Sequence, residues 1–249
     1  VGPHRTARCC LAAGVFHLNT FADSIRTALA LIAALDPALL AIVGRSLGVS
    51  LSACALACVI GLPLGAWLGV KVFPGRGVLL ALLNTALALP SVVVGLVAYL
   101  LLSRTGPLGF LGWLYSIKAM VLAQAVLVLP VVLALTRQFA HDAEQSHGEQ
   151  LQSLGAQPLL RAGLLMLDGR YTLITIVLAA FGRAVSEVGA VMVVGGNIDG
   201  FTRVMTTAIA LETSRGDLPL ALALGLILLG VVLLLHVGAG LVRRAGERT

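Results

Sequence analysis

The chain has 249 residues, 59% of them hydrophobic and only 11% charged, with a mean hydropathy of +1.01. Soluble domains hold roughly 45–50% apolar and about 25% charged residues, so both values depart in the direction that a lipid-embedded chain requires. The formal charge of +6 does not indicate nucleic acid, because the basic residues are dispersed at the ends of apolar runs and are not clustered with aromatics.

Val1 to Asn19 reads as a leader of uncertain role: His4, Arg5 and Arg8 precede an apolar stretch, Cys10 to Phe16, that is too short to span a bilayer. Asn19 to Leu35 reads as an amphipathic, interfacial helix, with Phe21, Ile25, Leu29 and Ile32 on one stripe. Asp36-Pro37 is an N-cap followed by a first-turn proline, and it opens a first span, Ala38 to Val70, that ends in the turn Phe73-Pro74-Gly75-Arg76-Gly77. Val78 to Leu102 is a second span interrupted by Pro90, and Ile117 to Leu135 is a third with Pro130 near its end. Each of these runs reaches the length of about 20 apolar residues that a hydrocarbon core demands. Thr136 to Arg170 is the long polar loop. Tyr171 to Val194 and Leu218 to Leu241 are the fourth and fifth spans, separated by a polar loop from Gly195 to Asp217. Lysines and arginines divide evenly between the two sets of loops, so the charge rule for topology does not fix the orientation.

The same sequence excludes several kinds of chemistry. The only lysines are Lys71 and Lys118, preceded by Val70 and Ile117, so no G-x-x-x-x-G-K-[ST] phosphate loop can be written. H-E-x-x-H, C-x-x-C and a strand-borne G-x-G-x-x-G are absent as well, which leaves metal hydrolysis, dithiol redox and dinucleotide chemistry without their usual residues. Cys54 and Cys58 lie one helical turn apart in an apolar run, where cysteine behaves as a small hydrophobe. His141 and His147 have no convergent ligands, so no metal site is expected.

Three segments stand out. The first is Glu149-Gln150-Leu151-Gln152-Ser153-Leu154-Gly155-Ala156-Gln157-Pro158, which reads as a helix ended near Gly155 and a second helix started by Pro158. In the second, Phe181 to Ala190, Arg183 and Glu187 are four apart and can pair, beside a small-residue ridge of Gly182, Ser186 and Ala190. Charges at that depth belong in a bundle interior or a water-filled path. The third is the loop from Gly195 to Thr213, where Thr202 can cap a short helix that turns Val204, Ala208 and Leu211 toward the membrane. There Arg203, Thr206 and Thr207 offer guanidinium and hydroxyl donors, with the acidic groups Asp199, Glu212 and Asp217 in the same loop.

The first segment resembles the E-A-A-x-x-x-G segment of ABC importer permeases, with both alanines replaced, by Gln150 and Leu151. The third segment is similar to the tungstate-type branch of the molybdate/tungstate/sulfate permeases, as is Leu89-Pro90-Ser91-Val92-Val93-Val94-Gly95-Leu96 followed by Gly106-Pro107-Leu108-Gly109. The resemblance covers about Leu35 to Leu235. It implies an all-α, polytopic type I permease fold of about five spans, with residues 20–249 forming one transmembrane domain and a cytoplasmic coupling loop at about 136–170. It also implies a homodimer in the plasma (inner) membrane, a separate ATP-binding-cassette ATPase seated against Glu149, Gln150, Leu151, Gly155 and Pro158, and an extracytoplasmic oxyanion-binding protein. The implied cargo is tungstate, with molybdate or sulfate as alternatives. No cofactor is expected on the chain itself, since ATP belongs to the partner. An ion-driven secondary transporter using Arg183 and Glu187 as a relay, and a membrane scaffold, are the competing classes.

Overall fold

The computed structural model describes residues 24–34 and 36–246; the leader lies outside them, as does the start of the interfacial helix. Every regular element among the described residues is helical: α1 (Ser24–Ala33), α2 (Pro37–Val70), α3 (Arg76–Leu87), α4 (Ser91–Leu102), a 3-10 turn (Gly109–Leu111), α5 (Ile117–Ser153), α6 (Pro158–Asp168), α7 (Arg170–Val185), α8 (Gly189–Gly195), α9 (Met205–Arg215) and α10 (Leu218–Gly246). α2 starts as the sequence dictates. The Asp36 carboxylate accepts from the N–H groups of Ala38 (2.8 Å) and Leu39 (3.1 Å), and Pro37 takes the first turn.

α2, α5 and α10 are each long and apolar enough to cross a membrane, and two bent pairs bring the number of candidate spans to five. The bends change the outline read from the sequence. Pro90 does not merely kink the second span: α3 and α4 meet at 99°. The fourth span is bent 81° against α6 at its start, and its helix ends at Val185 instead of running on to Val194. The third span continues for 18 residues past Leu135, so much of the expected polar loop is helix. At 1.5 Å per residue α5 is about 55 Å long, against a hydrocarbon core of about 30 Å. The surplus turns exceed what a hydrocarbon core can hold, and no apolar run is needed for them.

The centre of the fold is a seam between α2 and α5. A Cβ added at Gly61 would lie 2.8 Å from Val132, one at Gly65 2.8 Å from Thr136, and one at Gly69 2.6 Å from Ala140. Four residues along α2 match four along α5 at each step, so the two helices run parallel. With no hydrophobic driving force between helices in lipid, such close backbone approach is what holds them together. α7 packs antiparallel on the same frame, with Ala180 and Ala184 against Cys54, Ala57, Val128 and Val132. α1 covers the far end beside Leu39, Ile42, Met205 and Leu224.

Candidate functional site

The Glu149–Pro158 segment forms an elbow where α5 turns into α6. The Gly155 N–H donates to the Gln152 carbonyl (2.9 Å) and the Ala156 N–H to the Leu151 carbonyl (3.0 Å), while Gly155 takes φ +78°. That left-handed closure is the reason a glycine stands there. Pro158 occupies the first turn of α6, where a missing N–H leaves no bond unmade. Glu149, Gln150, Gly155 and Pro158 are exposed, whereas Leu151 turns inward onto Ala66, Val70, Ala140, Ala162 and Leu165. The outer face is apolar: Leu154 is 82% exposed and Leu159 73%. A groove of about 840 Å³ runs along α6 and the start of α7, lined by Leu159, Leu160, Leu164, Leu167 and Ile174. The helix before Gly155 is the end of a 37-residue one, not a short one, but its stop and the next start fall where the residues require.

The Arg183–Glu187 pair sits at the end of α7. Arg183 Nη1 lies 3.1 Å from Glu187 Oε2, with the carboxylate buried and the arginine side chain 45% exposed. Glu187 is beyond the helix, after the cap residue Ser186. Side chains from two other helices bond to backbone carbonyls at the break, one of which, that of Ala184, also accepts from the Glu187 N–H (3.2 Å). Gln124 Nε2 on α5 donates to the Ala184 carbonyl (3.0 Å), and Thr206 Oγ1 on α9 donates to the Glu187 carbonyl (2.8 Å). Ser186 is exposed and its hydroxyl returns to the Gly182 carbonyl (3.0 Å). The expected ridge does not form as one face. Space around Gly182 is open, while Ala190 is met by α4, where a Cβ on Gly95 would lie 2.7 Å from the Ala190 Cα. The helix break at Ser186–Val188 separates the two ends of that ridge.

At the opposite end from the elbow, Arg203 is largely buried and faces Asp199 (3.2 Å) and Glu212 (3.9 Å), and Arg45 of α2 donates to the Arg203 carbonyl (3.0 Å). Arg45 and Arg203 share a pocket of about 620 Å³ with Asp36, Asp199 and Asp217. The threonines are buried and engaged in the fold. Thr207, not Thr202, caps α9: its hydroxyl accepts from the Val204 N–H (3.2 Å) and donates to the Val204 carbonyl (3.1 Å). Thr202 instead pins the loop, donating to the Gly195 carbonyl and accepting from the Ile198 N–H. Val204 and Ala208 face the protein core and not the membrane, because α9 lies under α1 and α10. No group of three or more His, Cys, Asp or Glu side chains among the described residues could hold a metal ion.

No protein-family model matches the chain. Individual proteins do. The chain is 42% identical over 216 residues to the tungstate uptake system permease protein of Peptoclostridium acidaminophilum, covering 85% of this chain and 93% of that one. It is 41% identical to a probable anion ABC transporter permease protein of Haloferax volcanii, over 78% of this chain and 86% of the other. The molybdenum transport system permease protein of Escherichia coli K12 is 33% identical, over 68% and 80%. The chain is an ABC transporter permease subunit.

As an ABC permease it is a multi-pass protein of the plasma membrane and a transport subunit. Two parts of this permease escaped the sequence reading. Gln124 is a lone amide in an apolar run and acquires meaning only once α7 is seen to break opposite it. Gly61, Gly65 and Gly69 carried a visible small-x-x-x-small signal inside the first span, and that spacing was the means to find the α2–α5 seam.

Proposed function

We propose that this permease is the membrane subunit of an ABC importer that passes tungstate, delivered by an extracytoplasmic binding protein, and that it works as a homodimer with a separate ATPase. The observation that carries the cargo is the 42% identity across nearly the whole length of a tungstate uptake permease, against 33% for the molybdenum permease. The coupling reading draws on the elbow, whose exposed Glu149, Gln150 and Gly155 and apolar rim of Leu154 and Leu159 project from the end of the longest helix. A protruding apolar elbow fixed to a long helix suits a groove on a soluble partner. Nucleotide-driven closure of two ATPases would then displace both elbows and tilt the helices between inward and outward openings. The chain binds no cofactor in this scheme, and ATP is used by the partner. Arg183, Ser186 and Glu187 stand at the break between α7 and α8, where a helix can flex beside a path.

The test is a mild-detergent purification of the tagged chain, followed by uptake in liposomes with its retained partners. Tungstate uptake that requires ATP, is outcompeted by unlabelled tungstate ahead of molybdate and sulfate, and depends on a co-purified ATPase is the expected result. A chain that purifies alone and moves tungstate without ATP would overturn it. In the working complex, Gly155→Leu is expected to leave insertion intact, because a side chain there meets open space. The strain at φ +78° is about 1 kcal/mol, and uptake should fall while the bulky side chain blocks the seat. Unchanged uptake in Gly155→Leu would count against the elbow as the coupling element.

A further inference from the structure

Glu144 and Arg161 form a pair that none of the roles above uses. Arg161 stands in the first turns of α6 and is buried, and its Nη2 lies 3.3 Å from Oε1 of Glu144 on α5. One helical turn beyond Glu144 on α5 comes Gly148, where an added Cβ would lie 2.8 Å from both Cδ and Oε1 of Glu144. The carboxylate therefore folds back over a position without a side chain, turned toward α6. Glu144 Oε2 and Arg161 Nε are buried without other hydrogen-bond partners, so each charge depends on the other for compensation.

A second contact ties down the far end of α6. The Phe139 ring of α5 lies over Gly169, where an added Cβ would fall 1.8 Å from Cζ. Passing from Arg161 to Gly169 along α6 means passing backward from Glu144 to Phe139 along α5. α6 is thus strapped antiparallel to α5 at two points, one ionic and one steric, with Leu151, Ala162 and Leu165 filling the space nearby.

We propose that Glu144 and Arg161 are positioning residues that make α5 and α6 one lever. Displacement of the elbow then moves α5 as a body, and α2 with it through the Gly61–Gly69 seam, instead of being absorbed by bending at Gly155. This inference rests on the coupling reading above, and it assigns to two residues outside the elbow the task of keeping the stroke from being lost.

The experiment measures ATP hydrolysed per tungstate taken up by the complete complex in proteoliposomes. Wild-type complex is measured first: if it retains no ATPase or needs no ATP, the coupling reading itself has failed. Given a coupled wild type, Glu144→Gln and Arg161→Gln are expected to keep the ATPase bound and hydrolysing while the ratio rises about tenfold, because each leaves one buried charge unpaired. The reversed pair Glu144→Arg/Arg161→Glu should bring the ratio back to within about threefold of wild type. Wild-type ratios in both single variants overturn the proposal. Should the single variants fail to assemble, the decision passes to Glu144→Cys/Arg161→Cys, in a background without the native cysteines, bridged by a short bifunctional thiol reagent. Efficient bridging with uptake retained is the expected outcome. Uptake arrested by bridging would show that α6 must slide on α5, and failure to bridge would remove the contact; either result overturns the lever.

Discussion

The α2–α5 seam and the α3–α4 arm are both apolar, yet they are packed to very different degrees. Along the seam, glycines on α2 meet Val132, Thr136 and Ala140 at distances where a methyl group would not fit. In the arm, α3 buries no residue at all and α4 buries only Gly95 and Leu102, leaving Val78, Leu82, Val92, Val97 and Leu100 exposed. The difference follows from the solvent. In water both surfaces would be forced inward, whereas in a bilayer large aliphatic side chains are as well satisfied by lipid as by protein. Helices associate there by shape, and small residues supply it. The seam is the frame of this permease, and the arm leaves most of its apolar surface uncovered by its own chain.

The strongest test of that contrast is Gly65→Leu. Its Cβ would lie 2.8 Å from the Thr136 Cβ and 2.9 Å from the Leu133 carbonyl oxygen, and neither helix can yield without opening the seam. A loss of about 3 kcal/mol or more is expected, read as thermal stability of the detergent-solubilised chain. Gly48→Leu is the control on the same helix, since nothing lies within 4 Å of that position, and its change should stay within about 0.5 kcal/mol. Equal changes in the two variants would show that close approach to α5 does not govern α2, since helix propensity alone favours leucine over glycine at both positions. Next in size is Gly95→Leu, at one of the arm's tight contacts with the rest of the chain. The added Cβ would stand 2.7 Å from the Ala190 Cα, but α4 is held on few sides and can shift, so about 1–2 kcal/mol is expected. A loss as large as that of Gly65→Leu would mean that the arm belongs to the frame.

Hydropathy made the contrast hard to foresee. Both regions are continuous apolar runs, and a run reports only that a segment avoids water, not whether protein or lipid surrounds it. For the same reason Ser186–Val188 gave no sign of a break: Phe181 to Ala190 has helical spacing throughout, and the interruption is supported by Thr206 and Gln124, which are distant in sequence. The extension of α5 to Ser153 was hidden for the opposite reason, since helix outside the bilayer loses its apolar signature. What was legible rested on local chemistry. Asp36-Pro37 started α2, Gly155 and Pro158 closed and reopened a helix at the elbow, and the spacing of Arg183 and Glu187 gave their pairing.

The smallest effect is expected at Leu82, in the middle of α3 and 62% exposed. Truncation by Leu82→Ala removes a large side chain that meets little of its own chain, so the stability of the isolated subunit should change by less than about 0.5 kcal/mol. A buried leucine truncated in the same way would cost about 2–5 kcal/mol, so the two cases are well separated by a thermal-unfolding measurement. The informative step is to repeat it on the assembled protein. If a second copy covers the arm, Leu82→Ala lowers the dimer fraction seen by native mass spectrometry while leaving the subunit intact. If lipid covers it, neither quantity moves. A stability loss in the isolated subunit is the one outcome that neither occupant produces, and it would erase the distinction between seam and arm.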